Sequence, residues 1–402
     1  MIKIAMVNPW FLPVPAVKGG AVEVLATHLI RGNEVVGNAQ IDVFTIPDPS
    51  LDNVKYENSK IIQVAPGWII RKCCGAWNKL VGNYTIDKKI TGWQVIILEK
   101  LLKNSYDYIL IENDMIMCER VCRIFKNNKH VKIIYHLHND YDVDAKTPEL
   151  VKAIAPRTNI ILTVSDYIKR RVLNAAPQAN IKVLYNAIDR KVFEGNTIYR
   201  NKIRNQYNIG NNDFVFIYSG RITEEKGVLE LFRAFELLKN EKNMDNCKLL
   251  VVGKSWFGED ELTSYEKKLM DIAKNRTDII FTGFVLPSQM PKVLSAADVA
   301  VIPSKWEEPF GLVVLEAIAS GLQIVATDSG AITEIIDDSI AEIVDKKGNF
   351  VENLYLGMKN STKSNEKKLN EKKYMIEHPE FDSQFYYKNF CKAIGIAANE
   401  KG

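Results

Sequence analysis

The chain has 402 residues, of which 47% are hydrophobic and 25% charged, and its formal net charge is +4. This composition is typical of a soluble globular protein with enough apolar material for two domain cores. The slight positive charge does not indicate nucleic acid as a partner, and no apolar run approaches the ~20 residues that a bilayer-spanning helix needs.

The N-terminus and the cysteines predict a cytoplasmic protein. Residues Met1–Val7 form a short apolar run that ends at Asn8, without the long hydrophobic region and small-residue cleavage site of a secretory signal. Six cysteines in a chain of this length are too few for a disulfide framework, and no pair has the second pair of ligands that a zinc site needs. We therefore expect reduced thiols.

Short apolar runs alternate with segments of helical periodicity along the whole chain, as in parallel sheets joined by crossover helices. The strands predicted in the first half are Ile2–Val7, Ile41–Thr45, Ile61–Val64, Tyr108–Ile111, Lys132–Tyr135 and Ile160–Val164. Those predicted in the second half are Phe214–Tyr218, Lys248–Val252, Ile279–Thr282, Val299–Ile302 and Gln323–Ala326. The helices predicted between them are Ala21–Arg31, Trp93–Lys103, Asp166–Asn174, Val228–Lys239, Leu262–Lys274 and Pro287–Ala296.

The pattern predicts an α/β protein of two Rossmann-like parallel-sheet lobes that face a central cleft. A polar interval from Asp189 to Asp213 is interpreted as a linker region, so that the lobes span residues 1–187 and 188–374. Leu354–Lys373 is rich in Lys, Asn and Glu and is interpreted as a solvated helix or loop. Phe381–Ile394 has aromatic residues at helical spacing.

Two glutamates, Glu308 and Glu316, have seven residues between them and flank an apolar segment with Pro309 near its start. The segment predicts a buried helix that opens at Pro309, since a first-turn proline lacks only an N–H that would have no partner. The free amides of a helix start suit a phosphate, and the carboxylates suit hydroxyl groups. The structural alternative is that Glu316 is neutralised by a nearby Lys or Arg.

With the surrounding residues, this motif resembles the retaining GT-B glycosyltransferases of family 4, whose mark is a Glu, seven residues and a second Glu. The resemblance runs through 303–312, 319–321 and 327–330 to Glu334, and it is specific over roughly 160–340. It implies a GT-B fold in which the C-terminal segment, 375–402, forms a helix that crosses back to the first lobe.

The resemblance also implies how the second lobe binds a nucleotide-sugar donor. Gly220, Arg221 and Lys226 match the family's phosphate-binding pattern, in which two cations stabilise the departing diphosphate. Glu308 would accept a hydrogen bond from a sugar hydroxyl, and Glu316 would bind the ribose. The remaining implied donor contacts are the Phe310 and Gly311 amides beside the sugar, the Leu312 and Val313 amides at the diphosphate, and the segment 281–285, which includes Phe284, at the base.

In the first lobe, Gly19 and Gly20 open a helix after a Pro-rich loop, and the resemblance places this loop against the donor phosphate. His138 aligns best with the family's active-site histidine at a strand end, and His136 is the alternative. The two histidines also admit a metal site, but no third ligand of convincing spacing accompanies them, so we expect none.

Retention by double displacement would need a carboxylate nucleophile on the opposite face of the sugar, and the sequence shows no obvious candidate. The resemblance implies a front-face route in which the leaving phosphate assists the incoming hydroxyl. It further implies a metal-independent hexosyl- or N-acetylhexosaminyltransferase without a cofactor. UDP-sugars are the first expectation for the donor and GDP-mannose is the second.

The expected acceptor is a glycan or lipid-linked glycan of surface polysaccharide synthesis. Segment 66–80 combines tryptophans with Arg and Lys, a pattern that suits the cytoplasmic face of a membrane; a connecting helix with a solvated basic edge is the alternative. Three other functions stay open: a GT-B-fold sugar phosphorylase, a sugar-nucleotide epimerase and a non-catalytic nucleotide-sugar-binding subunit.

Overall fold

The computed structural model describes residues 1–81, 89–141, 147–194, 196–255, 261–363 and 371–398. The chain divides into two compact units. The first unit comprises Met1–Asn186 together with the C-terminal segment from Ser383, and the second comprises Ala187–Asp382. Each unit has its own parallel sheet, which confirms the predicted fold of two Rossmann-like lobes.

The first unit is built on a seven-stranded sheet in the order β3-β2-β1-β4-β5-β6-β7. All its strand pairs are parallel. The strands are β1 Ile2–Val7, β2 Ala39–Thr45, β3 Ser59–Gln63, β4 Tyr108–Glu112, β5 Lys132–Leu137, β6 Ile160–Thr163 and β7 Ile181–Val183. Central strands of such a sheet are buried on both faces, and this is why they appear in the sequence as continuous apolar runs.

The helices between these strands are α1 Ala21–Val36, α2 Trp68–Val81, α3 Gly92–Lys103, α4 Met115–Ile124, α5 Thr147–Ile154 and α6 Asp166–Ala175. Helix α1 is longer than predicted and ends at Gly37, whose φ of 67° suits a glycine C-cap. Helix α2 occupies most of the segment that was weighed as a membrane contact. Only Cys74 is buried in it, and Trp68, Ile69 and Leu80 are at least 67% exposed.

The second unit has a six-stranded parallel sheet in the order β10-β9-β8-β11-β12-β13. Its strands are β8 Phe214–Ser219, β9 Cys247–Val252, β10 Ile279–Gly283, β11 Val299–Ile302, β12 Gln323–Thr327 and β13 Glu342–Val344. Its helices are α7 Arg190–Phe193, α8 Arg200–Gln206, α9 Val228–Lys239, α10 Ser264–Ala273, α11 Met290–Leu294, α12 Leu312–Ala319, α13 Ile332–Ile335, α14 Phe350–Lys363 and α15 Glu371–Glu377.

Two predictions about polar segments were wrong. The interval from Asp189 to Asp213 lies in the second unit, and it contains α7 and α8 where a linker region was expected. Arg204 in α8 is 1% exposed because backbone carbonyls and the carboxylate of Asp298 accept its N–H groups. Helix α14 is not simply solvated, since Leu354 and Met358 are fully buried in the same core as α9.

The last helix of the described chain, α16 Ser383–Ile394, packs against α1, as the resemblance implied for the C-terminal helix. Gly32 permits the close approach, because a Cβ there would lie 2.3 Å from Cβ of Tyr387. The Tyr387 hydroxyl donates a hydrogen bond to Oδ1 of Asn33 at 2.9 Å. Within the described ranges, no helix combines the length and the apolar character needed to cross a membrane.

Candidate functional site

Three loops run side by side at the carboxyl ends of β8, β9 and β10. The Gly220 amide donates to the carbonyl of Val252 at 3.0 Å, and the Gly253 amide donates to that of Gly283 at 3.1 Å. Gly253 has a φ of 135°, and a Cβ there would lie 1.9 Å from the Gly220 carbonyl oxygen. Glycine thus allows the backbones to pack directly at the edge of the sheet where open α/β sheets bind ligands.

Lys226 and Glu308, which are 82 residues apart, meet at this edge of the second unit. Nζ of Lys226 lies 2.6 Å from Oε1 of Glu308 and 5.0 Å from the ring centroid of Trp306. The Ser304 hydroxyl donates a second hydrogen bond to the same carboxylate oxygen. The two side chains are 17% and 8% exposed, so the structure brings together the predicted phosphate-binding cation and the predicted sugar-binding carboxylate.

The position of Lys226 depends on the residue that follows it. Lys226 ends a short 3-10 turn, and Gly227 has a φ of 71°. A Cβ on Gly227 would lie 2.0 Å from the carbonyl oxygen of Pro303, which follows β11. Glycine here therefore sets the distance between the loop after β8 and the segment that leads to Glu308.

Arg221 lies in the same loop but makes a different contact. Its guanidinium is 3.9 Å from Glu225, and its side chain is 38% exposed. The structure thus places Arg221 and Lys226 five residues apart in one loop, where only Lys226 contacts Glu308.

Helix α12 begins at Leu312, three residues later than Pro309, so the prediction of a first-turn proline was wrong. The N-cap is Gly311, with a φ of 98° and no side-chain cap hydrogen bond. The amides of Leu312 and Val313 therefore have no acceptor within the helix, as predicted for diphosphate donors. Phe310 is 2% exposed and its ring centroid lies 6.0 Å from that of Phe381, so this side chain belongs to the core and only the backbone is suited to a ligand.

The two adjacent glutamates before α12 differ in their partners. Oε1 of Glu307 lies 2.6 Å from Nζ of Lys346, and its Oε2 accepts a hydrogen bond from the Gly330 amide at 2.5 Å. The carbonyl of Glu308 accepts one from the Ala331 amide at 2.9 Å. The Glu307 side chain is thus occupied by contacts with the loops after β12 and β13. These contacts favour Glu308 as the carboxylate that faces Lys226.

Glu316 lies in the middle of α12 and has no ion pair or side-chain hydrogen bond with any residue that the structure describes. Its side chain is partly buried, and desolvation raises its pKa from 4.5 to about 7. The structural alternative, a carboxylate neutralised by a neighbouring Lys or Arg, is thus not what the described residues show. A carboxyl group kept in apolar surroundings without a partner suits the binding of a hydroxyl ligand.

The predicted base-binding residue, Phe284, directly follows β10. Its side chain is 42% exposed, and Gly283 before it has a φ of 72° with open space around its Cβ position. The structure therefore places this segment beside the loops after β8 and β9, with its aromatic ring accessible.

In the first unit, Gly19 and Gly20 have φ values of 84° and 95°, and Gly20 is the N-cap of α1. A Cβ on Gly20 would lie 2.1 Å from Oε2 of Glu23, a buried carboxyl whose pKa is raised by desolvation. Lys18, before the glycines, pairs with Asp48 at 2.5 Å. The glycines are thus required by backbone conformation and by the buried glutamate.

His136 and His138 lie at the end of β5 beside a residue that sequence reasoning missed, Glu112 at the end of β4. The register of the parallel strands pairs Glu112 with His136. Oε2 of Glu112 is 2.6 Å from Nε2 of His138, which donates a hydrogen bond, and 2.9 Å from Nδ1 of His136. The structure therefore adds a third candidate ligand that sequence spacing did not indicate. Two polar residues on adjacent predicted strands, each near its carboxyl end, were the signal.

The electrostatics of this cluster follow from its burial. The three residues are 1%, 0% and 6% exposed. Desolvation lowers the pKa of His138 to about 4, so its imidazole is neutral at pH 7. Burial works to raise the pKa of Glu112, but the electrostatic interaction with His136 and the hydrogen bond from His138 outweigh it and lower that pKa to about 2.

Residues 199–374 match the model of the family described as glycosyl transferases group 1. The chain is 31% identical over 246 residues to lipopolysaccharide 1,2-N-acetylglucosaminetransferase of Salmonella typhimurium. That alignment covers 61% of this chain and spans 60% of the length of the relative.

The fold is similar to solved GT-B structures. Sucrose-phosphate synthase from Thermosynechococcus elongatus matches with a TM-score of 0.76 and 16% identity over 98% of both chains. HepE from Anabaena, solved with UDP-glucose, matches with a TM-score of 0.74 and 17% identity over 98% of this chain and 100% of the other. These likenesses show the fold, and the family match covers residues 199–374 of the second unit.

Proposed function

We propose that this protein is a retaining glycosyltransferase that moves a sugar from a nucleotide-sugar donor to a glycan or lipid-linked glycan of surface polysaccharide synthesis. The observation that carries the proposal is the Lys226–Glu308 pair beside the uncapped start of α12, within the segment that matches the family. A UDP-hexose or UDP-N-acetylhexosamine is the proposed donor, with GDP-mannose as the second choice.

In the proposed reaction, negative charge develops on the nucleoside diphosphate as the glycosidic bond breaks. Lys226 and the amides of Leu312 and Val313 are fixed donors for that charge, and Arg221 lies in the same loop with an exposed guanidinium. Donors that are held in place before the reaction lower the barrier without reorganisation. Since these groups supply positive charge, the proposed transfer needs no divalent metal at the diphosphate.

Glu308 is proposed to bind a hydroxyl of the transferred sugar. Its Oε1 already accepts from Lys226 and Ser304, which leaves Oε2 for a ligand. Glu316 is proposed to accept the ribose hydroxyls, and the backbone around Phe284 to contact the base. Retention by a front-face route, in which the leaving phosphate assists the acceptor hydroxyl, is proposed from the resemblance, as are the roles of Gly19, Gly20 and His138.

Helix α2 is proposed to dock on the cytoplasmic face of a membrane that carries a lipid-linked acceptor. Trp77 and Leu80, 50% and 82% exposed, lie on its accessible side, and Nζ of Lys72 lies 4.2 Å from the ring centroid of Trp68. Exposed apolar residues beside cations suit a surface of anionic lipids. A Trp68→Ser/Leu80→Ser variant should sediment less with phosphatidylglycerol vesicles, whereas Leu102→Ser, which alters a 61% exposed leucine on α3, should sediment as the parent does.

The donor assignment is tested by thermal shift with UDP, GDP and ADP and their common sugar conjugates, all in EDTA. A ligand that binds only the folded protein raises Tm by mass action. We expect a shift with UDP and a larger one with a UDP-sugar, and the same shift should be lost in Lys226→Ala. If no nucleotide moves Tm, the donor site is refuted, and the phosphorylase alternative gains support.

A further inference from the structure

The cluster of Glu112, His136 and His138 includes the histidine that the resemblance assigns to the active site, but none of the contacts proposed for the diphosphate, and its geometry points to a further ligand. One ligand atom of each residue lies within 4.8 Å of the other two. We propose that these three residues bind one divalent transition-metal ion, with the carboxylate of Glu112 and one nitrogen of each imidazole as ligands.

The contacts of His136 carry the proposal furthest. This side chain is fully buried, yet neither of its ring nitrogens has a partner in hydrogen-bond geometry within the described part of the chain. Nδ1 is nevertheless 2.9 Å from Oε2 of Glu112. A close approach of two polar atoms without a hydrogen bond is costly for an isolated pair but normal for two ligands of the same ion.

The distances fit metal coordination. Two atoms that are each about 2.1 Å from an ion and 2.9 Å apart subtend an angle of about 90° at the ion, as in a facial arrangement of two histidines and one carboxylate. The 2.6 Å separation between Glu112 and His138 is that of a hydrogen bond, and it would widen by a few tenths of an ångström when an ion replaces the proton.

The charge balance gives a second argument. Glu112 is 1% exposed, and no Lys or Arg in the described ranges lies within 4.0 Å of its carboxylate. A buried carboxylate is strongly unfavourable unless a positive charge pairs with it. Among the described residues only the two histidines can offset the charge of Glu112, and each does so only when it is protonated. A dication at this position would compensate the charge of Glu112 without those protons.

The ligand types select the metal. Imidazole nitrogens favour Zn²⁺, Co²⁺, Ni²⁺ and Fe²⁺, whereas Ca²⁺ and Mg²⁺ require mostly oxygen ligands. The backbone prepares the site, because Asn113 follows β4 with a φ of 50° and its Oδ1 accepts a hydrogen bond from the His138 amide at 3.1 Å. Coordination through Nε2 would fix the ring of His138 and leave its Nδ1 for another contact.

The experiment is a titration of the full-length, tag-free, EDTA-treated protein with Co²⁺ alone, followed by visible d–d absorption and by metal analysis after gel filtration. We expect one Co²⁺ per chain, displaced by Zn²⁺. Glu112→Gln should weaken binding by at least ~10-fold. His130→Ala, which alters an exposed histidine of the same unit, should bind as the parent does.

If the wild-type protein shows no saturable d–d absorption, or if Glu112→Gln binds Co²⁺ as tightly as the parent, the proposal is overturned and the cluster is a hydrogen-bonded one. Where Glu112→Gln fails to fold, the wild-type Tm decides, because a bound ion must raise it. The titration contains no nucleotide and the thermal-shift panel contains EDTA, so failure of the metal site and failure of the donor site are distinguished.

Discussion

Ionisation of Glu316 makes the stability of the protein depend on pH in a direction that the structure fixes. Its pKa is raised from 4.5 to about 7 in the folded protein, which corresponds to about 3 kcal/mol between the two protonation states. Below pH 4.5 the carboxyl is protonated whether the chain is folded or not, and it costs nothing. As the pH rises from 4.5 to 7 the unfolded chain loses the proton first, so the folded state is destabilised, and above pH 7 the full cost is reached.

Replacement of Glu316 by Gln removes this cost because the amide cannot ionise. Glu316→Gln should therefore have the same free energy of unfolding as the wild type near pH 4.5 and be more stable by about 3 kcal/mol at pH 8. The measurement is urea denaturation of both proteins at pH 5, 6.5 and 8. Glu236→Gln, at an exposed position on α9, is the control and should show no such trend.

The same ionisation should govern nucleotide binding if Glu316 accepts the ribose hydroxyls. A carboxylate accepts both hydroxyls better than a carboxylic acid does, so the affinity for UDP should rise about tenfold between pH 6 and pH 8. The phosphates also titrate in this range, and the comparison is therefore with Glu316→Gln, whose profile should lack this component. For the unfolding experiment, a difference in free energy of unfolding between the wild type and Glu316→Gln that stays constant from pH 5 to pH 8 would refute the reasoning about Glu316.

Three further predictions concern the second unit. Glu308→Gln should reduce sugar transfer at least ~100-fold with little change in Tm, and wild-type turnover would remove Glu308 from the site. Lys226→Ala should weaken UDP binding by on the order of 1.5–3 kcal/mol in calorimetry, with Lys226→Arg less affected; equal affinity would contradict the phosphate role. Gly227→Ala should lower the free energy of unfolding by at least ~2 kcal/mol, because its Cβ would lie 2.0 Å from the Pro303 carbonyl oxygen. Gly348 has the same φ of 71° but open space at its Cβ position, so Gly348→Ala should lower the free energy of unfolding by only ~1 kcal/mol. Equal losses in the two variants would show that backbone strain alone, and not the contact with Pro303, causes the destabilisation.

The sequence predicted the central strands well because burial on both faces leaves a continuous apolar run. Strands β1 and β11 begin and end at the predicted residues. The two strands that were missed, β7 and β13, have three residues each, and each lies at one edge of its sheet. The strands at the opposite edges, β3 and β10, have five residues each and were predicted, so a run of three residues is too short for its periodicity to give a signal.

The polar segments were harder because composition does not show which side chain is buried. Arg204 lies in a stretch that reads as a linker, yet its buried guanidinium donates to the carbonyls of Gly210, Asn211, Asp213 and Ala296. Helix α14 is rich in Lys and Asn on one side and places Leu354 and Met358 in the core on the other. In both cases, contacts with residues distant in the sequence determine which side chains are buried. The local amino-acid pattern does not show those contacts.

In the candidate site, too, local patterns predicted some residues, whereas contacts between distant residues could not be predicted. Glu308 and Glu316 could be predicted from their spacing, but the partner of Glu308 depends on a contact across 82 residues, and that of Glu112 on the register of two strands. Glu308 and Glu316 differ in their electrostatic surroundings. Lys226 stabilises the negative charge of Glu308, whereas Glu316 has no such cation in the described ranges and its pKa rises. In the proposed donor complex the phosphate would compete for Lys226 and so release the carboxylate of Glu308 to the sugar, while Glu316 would be ready for its ligand only when ionised. The ligand-free protein thus holds the two carboxylates that are proposed to bind the donor in different states: Glu308 is paired with a cation, and Glu316 has a pKa of about 7.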